Sequence, residues 1–230
     1  MTALTTDIAT FVATVSSGSM PARANFGARI GMLDCVGTMI AGADEEAVKL
    51  VAKIVPTSTT NDGAPEIPNG RNLSASDAAL VNGVAAHVLD YDDVGIDGHP
   101  SAALTPAILA EGWALGSSGE EAIAAYVAGY EVWALLQELE PGALHERGFH
   151  PTAIWGTLSA AAACARLDDK GVEVCLADVM GLGPPPPDAG REDLECAFAR
   201  RADAHASAHG RRCDPLLHHD SSEERSTSSA

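Results

Sequence analysis

Histidines and aspartates are concentrated in one short stretch, which runs from His87 to Ser101. This stretch contains four aspartates, two histidines and two glycines, and the residues around it are mostly alanine, leucine and valine. An imidazole gives or takes a proton near neutral pH, and a neighbouring carboxylate can orient it or act as a base itself. The stretch therefore predicts a site for acid–base chemistry.

Two polar loops share a feature that points to one site. The first polar loop, residues 90–101, and the second polar loop, residues 145–152, each follow a predicted buried helix and each contain a His-Pro dipeptide. We expect His99 and His150 to converge on one cavity, with Asp90 orienting an imidazole or acting as a base. The alternative is that each histidine only satisfies a nearby backbone group.

The charge of the chain limits its partners. A formal net charge of −18 argues against nucleic-acid binding and against an anionic membrane surface, because both depend on Lys and Arg. An anionic ligand would need a locally positive site, since the overall field repels it. Arg147 suits this role because its planar guanidinium can bind a carboxylate through two parallel hydrogen bonds.

Two segments of the sequence partly match metal-binding patterns, but the sequence does not support a metal site at either one. The first polar loop begins like a calcium-binding loop, but Val94 and Ser101 occupy its fifth and twelfth positions, where calcium needs oxygen ligands and finally a glutamate. A His-x3-His-x3-Cys pattern from His205 to Cys213 would share one helix face and suit zinc. We predict no metal site.

The five cysteines are an odd number and form no Cys-x-x-Cys pair. No basic segment followed by an apolar run opens the chain, and no apolar stretch reaches the roughly 18 residues of a membrane span. These features predict a reduced, cytoplasmic protein without a membrane segment.

Hydrophobic periodicity predicts an all-α fold, a helical bundle-like domain. The expected helices cover 5–17, 21–41, 44–55, 78–89, 102–114, 120–139 and 155–167. The fourth helix would be capped by Ser76 or Asp77. The second helix would place a stripe in the core, formed by Phe26, Ile30, Leu33, Met39 and Ile40.

The composition changes sharply after residue 167. Residues 168–230 contain a run of four prolines, paired arginines and a terminal series of Ser and Thr. We expect a helical domain over 1–167 and a largely disordered tail over 168–230, with at most one helix at 191–209.

The order of motifs across residues 5–167 resembles the MmgE/PrpD family. The matching segments are Ser76–Asp93, Gly98–Ser101, Ala125–Val132, Gly148–Thr152 and Gly156–Thr157. The resemblance implies a helical domain completed by a smaller α/β lid domain, commonly in a homodimer, that acts on small polycarboxylates without an organic cofactor. Family members remove water, release carbon dioxide or epimerise. Asp90, His99 and His150 match the catalytic positions, and Arg147 and Ser101 are the candidates for substrate binding.

This chain departs from the family pattern in two ways. Val94 stands where the decarboxylases carry threonine, and the first polar loop is one residue shorter, which favours dehydration of 2-methylcitrate or a related acid. The lysine of a Lys-x-x-His-x-Gly-like segment and the lid domain have no counterpart, since Lys170 is the only lysine after Lys53. We therefore expect a truncated member with impaired activity. The alternatives are a non-catalytic carboxylate-binding or hetero-oligomerising fragment, and a decarboxylase-like or epimerase activity.

Overall fold

The computed structural model describes residues 4–168, apart from residues 17, 19, 60–62, 141 and 142. Within that part the all-α prediction is confirmed, with the addition of one two-stranded ribbon. The helices are α1 (Leu4–Thr14), α2 (Ala22–Ala41), α3 (Glu46–Ile54), α4 (Ala75–His87), α5 (Pro100–Leu115), α6 (Gly119–Leu139), α7 (Ala143–Glu146) and α8 (Pro151–Leu167). The ribbon pairs β1 (Ala64–Pro65) with β2 (Asn72–Leu73). The predicted disorder of the tail lies outside the described residues.

Helix α5 lies at the centre of the domain and contacts α2, α4, α6 and α8. Its sequence is apolar nearly all round, as expected of a helix with neighbours on every side, and Leu104 and Ile108 are fully buried. Small residues let these helices approach closely. A Cβ on Gly129 of α6 would lie 2.7 Å from Leu104 Cδ2 and 2.9 Å from the carbonyl oxygen of Ser159 in α8.

Three hydrophobic clusters form the core. One joins α1, α6 and α8 around Trp133. A second joins α2, α3, α4 and the ribbon around Met39 and Leu73. The third lies between α2, α5 and α6 and includes Tyr126. Both of these aromatic side chains are buried.

The predicted core stripe of α2 is wrong except for Met39. Phe26, Leu33 and Ile40 are 66%, 69% and 62% exposed, and Ile30 is also exposed. The buried face consists of smaller residues, namely Ala28, Cys35, Thr38 and Met39. Amphipathic spacing finds two faces but does not say which one has a partner. The exposed face of α2 is apolar, but none of the described helices is long and apolar enough to cross a bilayer.

Two helices begin about a turn earlier than predicted, and both lie next to the polar loops. Helix α4 starts about a turn earlier than expected because Ser74, rather than Ser76, accepts the Asp77 backbone N–H at 3.2 Å. Helix α8 starts at Pro151, since proline suits the first helical position. The first polar loop therefore connects α4 to α5, and the second leads directly into α8.

Candidate active site

The backbone of the first polar loop is closed by a small bridge. Gly95 and Gly98 exchange N–H···O bonds of 2.9 and 3.1 Å, and the Trp133 indole donates to the Ile96 carbonyl at 2.9 Å. A Cβ on Gly98 would lie 2.7 Å from the Trp133 ring, so only glycine permits this approach. Left-handed backbone conformations occur at Asp90 (φ 54°), Ile96 (φ 49°) and Asp97 (φ 60°). Such conformations persist where the surroundings enforce them.

Below the loop, a buried hydrogen-bond network fixes the start of α5. The Asp93 carboxylate accepts the Ser101 N–H at 3.2 Å and the Ser101 hydroxyl at 2.8 Å. The Ser101 and Tyr126 hydroxyl oxygens are 2.6 Å apart, and the Cys35 thiol donates to the Ser101 carbonyl at 3.2 Å. His99 is the N-cap residue of α5, but its side chain makes no capping hydrogen bond. The Asp93 side chain caps the helix instead. The Ser101 hydroxyl is fully buried in this network. The assignment of Ser101 to substrate binding stays a prediction.

Burial shifts three ionisable groups of this network toward their neutral forms. It raises the pKa of the Asp93 carboxyl, although the Ser101 hydrogen bonds act in the opposite direction. It also raises the pKa of the Tyr126 hydroxyl well above its usual range and that of the Cys35 thiol to about 12. Because the thiolate is the reactive form, Cys35 is a structural thiol.

Two imidazoles and two carboxylates meet at the top of the loop. His87 Nδ1 lies 3.0 Å from Asp92 Oδ1, and His99 Nδ1 lies 3.2 Å from Asp92 Oδ2. On its other side, His99 Nε2 lies 3.7 Å from Asp90 Oδ1. The two imidazole rings are in edge contact, with centroids 4.5 Å apart. The structure thus brings the predicted pair Asp90 and His99 together.

Sequence reasoning missed His87 and Asp92 as members of this cluster. The Asp92 side chain is inaccessible to solvent, whereas that of Asp90 is 80% exposed. No spacing rule separates Asp92 from Asp90 and Asp93, since the chain between them is irregular. The only available signal was the position of His87 at the end of a buried helix.

The same four groups have the composition of a metal site. One ligand atom from each of His87, Asp90, Asp92 and His99 lies within 4.8 Å of the others. Imidazole and carboxylate ligands together suit first-row transition ions. Histidine–carboxylate pairs also satisfy one another without a metal, so the expectation of no metal stays a prediction.

The second polar loop is more open. His145, Arg147 and His150 are all exposed. His145 Nε2 lies 3.8 Å from Asp97 Oδ1, and its ring is 6.5 Å from that of His150. Arg147 Nη1 lies 3.7 Å from Glu140 Oε2, with both side chains largely exposed. Pairs of this length and exposure hold a loop weakly.

The two polar loops meet on one side of the domain. The His99 backbone N–H donates to the Thr152 hydroxyl at 3.1 Å, two residues after His150. The His145–Asp97 pair provides a second contact between the loops. The described contacts therefore run through Thr152 and Asp97, and the predicted convergence of His99 and His150 on one cavity stays a prediction.

A cleft elsewhere on the domain lacks the groups for acid–base chemistry. It lies near the end of α5, has a volume of about 380 Å³, and is lined by Trp113, Ser117 and other residues without titratable side chains. The polar loops are the better candidate for an active site.

Comparison with protein families gives the decisive match. Residues 6–179 match the MmgE/PrpD N-terminal domain, which is most of the chain. The chain belongs to the MmgE/PrpD family. The match extends past the predicted domain boundary at residue 167.

Two curated relatives are cis-aconitate decarboxylases. The mouse protein is 33% identical over 155 residues, which are 63% of this chain and 31% of the relative. The human protein is 34% identical over 147 residues, which are 59% of this chain and 30% of the relative. The chain thus aligns with about a third of the length of these relatives.

Proposed function

We propose that this MmgE/PrpD chain carries part of a lyase site for a small polycarboxylic acid, in which His99, His150 and Asp90 move protons beside a substrate carboxylate. The observation that supports this most strongly is the geometry of His99. One ring nitrogen faces the buried Asp92, and the other lies 3.7 Å from the exposed Asp90. An imidazole with one nitrogen beside a buried carboxylate and the other toward an open loop suits general acid–base catalysis.

Dehydration of 2-methylcitrate or a related acid is the first candidate reaction. A base takes a proton from the carbon beside a carboxylate, and the electron pair forms a carbon–carbon double bond. The hydroxyl on the adjacent carbon leaves as water after an acid protonates it. His99 and His150 provide one group for each task, and the Arg147 guanidinium, with only one loose pair to Glu140, is available for a substrate carboxylate.

Decarboxylation of cis-aconitate is the second candidate, favoured by the two curated relatives. Here a carbon–carbon bond to a carboxylate breaks, carbon dioxide leaves, and an acid protonates the carbon that keeps the electron pair. Val94 argues against this reaction, since it lies exposed in the first polar loop at the position where the resembling decarboxylases carry a threonine hydroxyl. Dehydration is therefore the favoured reaction.

We also propose that the chain alone is a weak catalyst. Its two described lysines both lie in α3, away from the polar loops. Among the described residues, the cations near the polar loops are then Arg147 and any protonated histidine, in a chain of net charge −18. Loss of a single group that stabilises developing charge typically costs about 10²–10³ in rate. A slow but measurable turnover is expected.

The test is to incubate the purified chain separately with 2-methylcitrate and cis-aconitate and to follow both by proton NMR. Dehydration gives an unsaturated tricarboxylate, and decarboxylation gives an unsaturated dicarboxylate with carbon dioxide. His99→Gln and His150→Gln should each lower turnover by about 10²–10⁴-fold. His145→Gln, on the second polar loop, is the matched control and should remain within about threefold of the unsubstituted chain, as expected for an exposed side chain without a direct role.

The outcomes separate the alternatives. Turnover that falls with His99→Gln but not with His145→Gln supports the enzyme. Binding of either acid without turnover would support the non-catalytic carboxylate-binding alternative. Neither binding nor turnover would overturn both.

A further inference from the structure

We propose that Asp92 is a positioning residue which, with His87 behind it, holds His99 in one tautomer and one orientation. The inference rests on the proposed function, since it concerns the histidine assigned to proton transfer there. Neither the sequence pattern nor the family match assigns a role to Asp92 or His87.

The surroundings of Asp92 show that its carboxylate serves the protein side of the site. Its side chain has no solvent exposure. Both carboxylate oxygens lie close to His87 Nδ1, at 3.0 and 3.2 Å, and Oδ2 also lies 3.2 Å from His99 Nδ1. Burying a carboxylate costs free energy unless partners satisfy it. In the described part of the chain, two imidazoles supply the ion-pair contacts of Asp92.

The two nitrogens of His99 have different environments. Nδ1 is buried and makes no hydrogen bond among the described residues, although Asp92 Oδ2 is 3.2 Å away. The two atoms are within contact distance, but they are not aligned for a hydrogen bond. Catalytic hydrogen bonds are often misaligned before a ligand binds and tighten afterwards. A small rotation of the ring would direct Nδ1–H at Asp92 and leave Nε2 as the atom that exchanges a proton.

The backbone of His99 is fixed on the opposite side. Its N–H donates to the Thr152 hydroxyl at 3.1 Å, and Pro100 follows it as the first residue of α5. With the backbone held and one ring nitrogen facing a buried carboxylate, little rotational freedom remains for the side chain. Such support is what keeps a catalytic group in its productive geometry.

Asp90 is unsuited to this positioning role. Its side chain is 80% exposed and lies 3.7 Å from His99 Nε2, and exposed pairs of this kind contribute little. The two aspartates therefore divide the tasks that sequence reasoning gave to Asp90 alone. Asp92 orients the imidazole from the protein side, and Asp90 faces the side open to substrate.

The test uses imidazole ¹⁵N-labelled protein and long-range ¹H–¹⁵N spectra above neutral pH, where each ring nitrogen reports whether it carries a proton. In the unsubstituted chain His99 should be protonated at Nδ1. Asp92→Asn should redistribute the proton between the two nitrogens, and His87→Gln, which retains Asp92, should do so in part. Asp97→Asn removes the same charge from the same loop, where asparagine tolerates the left-handed backbone, and should leave the His99 signals unchanged.

Turnover is measured in parallel. Asp92→Asn should lower kcat by at least about tenfold while KM stays within about threefold, since an orienting carboxylate acts on the imidazole and not on substrate binding. If Asp92→Asn does not fold, His87→Gln carries the same test in weaker form.

Two results would overturn the proposal. One is a His99 tautomer that does not change between the unsubstituted chain and Asp92→Asn. If Asp92→Asn does not fold, the same comparison is made with His87→Gln. The other is a change in the His87 and His99 signals on adding EDTA, because a bound metal would then be fixing the rings. A tautomer change without turnover in any sample would support the positioning role and count against the proposed function.

Discussion

The first and second polar loops carry similar residues but are built differently. In the first, a glycine bridge and an indole hydrogen bond to Ile96 hold the backbone, and the buried Asp92 lies beside the imidazoles of His87 and His99. In the second, His145, Arg147 and His150 are exposed and their charged contacts are 3.7 Å or longer. The candidate site therefore has one half that the fold holds in place and one half that is open to solvent. Catalytic groups need the first property, and ligand entry benefits from the second.

Removing the indole that anchors the first polar loop should have the largest effect. Trp133→Ala deletes a fully buried side chain and leaves the Ile96 carbonyl without its donor. Large-to-small changes of this kind cost about 3–5 kcal/mol. Trp113→Ala, at a tryptophan that is 65% exposed, should change the free energy of unfolding by less than about 1 kcal/mol. Urea denaturation followed by circular dichroism measures both, and equal losses would contradict the anchoring role.

Adding one methyl group at Gly98 should have the next largest effect. Its Cβ would meet the Trp133 ring at 2.7 Å and the Thr152 hydroxyl at 2.8 Å, and overpacking typically costs about 1–3 kcal/mol. Gly37→Ala in α2 is the control, because nothing lies within 4 Å of a Cβ there. It should stabilise the helix by about 0.5–1 kcal/mol. Opposite shifts in Tm would confirm the contrast; a Gly98→Ala protein as stable as the unsubstituted chain would refute it.

A substitution in the open loop should separate stability from binding. Arg147→Ala loses only an exposed 3.7 Å pair with Glu140, so the free energy of unfolding should change by less than about 0.5 kcal/mol. Affinity for a polycarboxylate should fall by at least about tenfold if the guanidinium binds a carboxylate, because a hydrogen bond to a charged group contributes about 1.5–3 kcal/mol. Calorimetric titration measures the affinity, with Arg29→Ala on α2 as the control. Equal affinity in both variants would remove Arg147 from the site.

The smallest effect concerns pH and the network beneath the first polar loop. Burial raises the pKa of Asp93 above its unfolded value of 3.8, so its favourable contribution is present at acid pH, where the carboxyl is protonated. That contribution is lost as pH rises through the folded pKa. Asp93→Asn, which mimics the neutral form, should therefore gain stability relative to the unsubstituted chain at neutral pH, and the gain should vanish at low pH. Thermal melts across pH test this, and a constant difference would contradict it.

Much of the fold follows from local sequence signals. Capping residues, proline positions and periodicity predicted the seven longer helices and both polar loops, because these signals act within a few residues. The side of α2 that faces the core was not predictable, since Phe26 and Leu33 look like core residues until the partner helices are known. The short α7 and the two-residue strands lack enough residues to leave a periodic pattern.

Two members of the candidate site could be predicted from the sequence, but the contacts within it could not. Asp90 and His99 were identified from residue type, and their proximity is confirmed. The contacts of Asp92 depend on which side of an irregular loop its carboxylate occupies. Those of Trp133 depend on a hydrogen bond to a residue 37 positions away in the sequence. Only the assembled helices determine such contacts.

The contacts around Ser101 also set an order of events for the chain as it folds. The bonds from Cys35 to Ser101 and from His99 to Thr152 span 66 and 53 residues, so each closes a long loop. Contacts of this kind form only once the intervening chain has been brought together. A chain that has not yet closed these two loops would therefore lack the contacts that hold Ser101 and His99 in place, and the state of His99 would report whether the whole domain has finished folding.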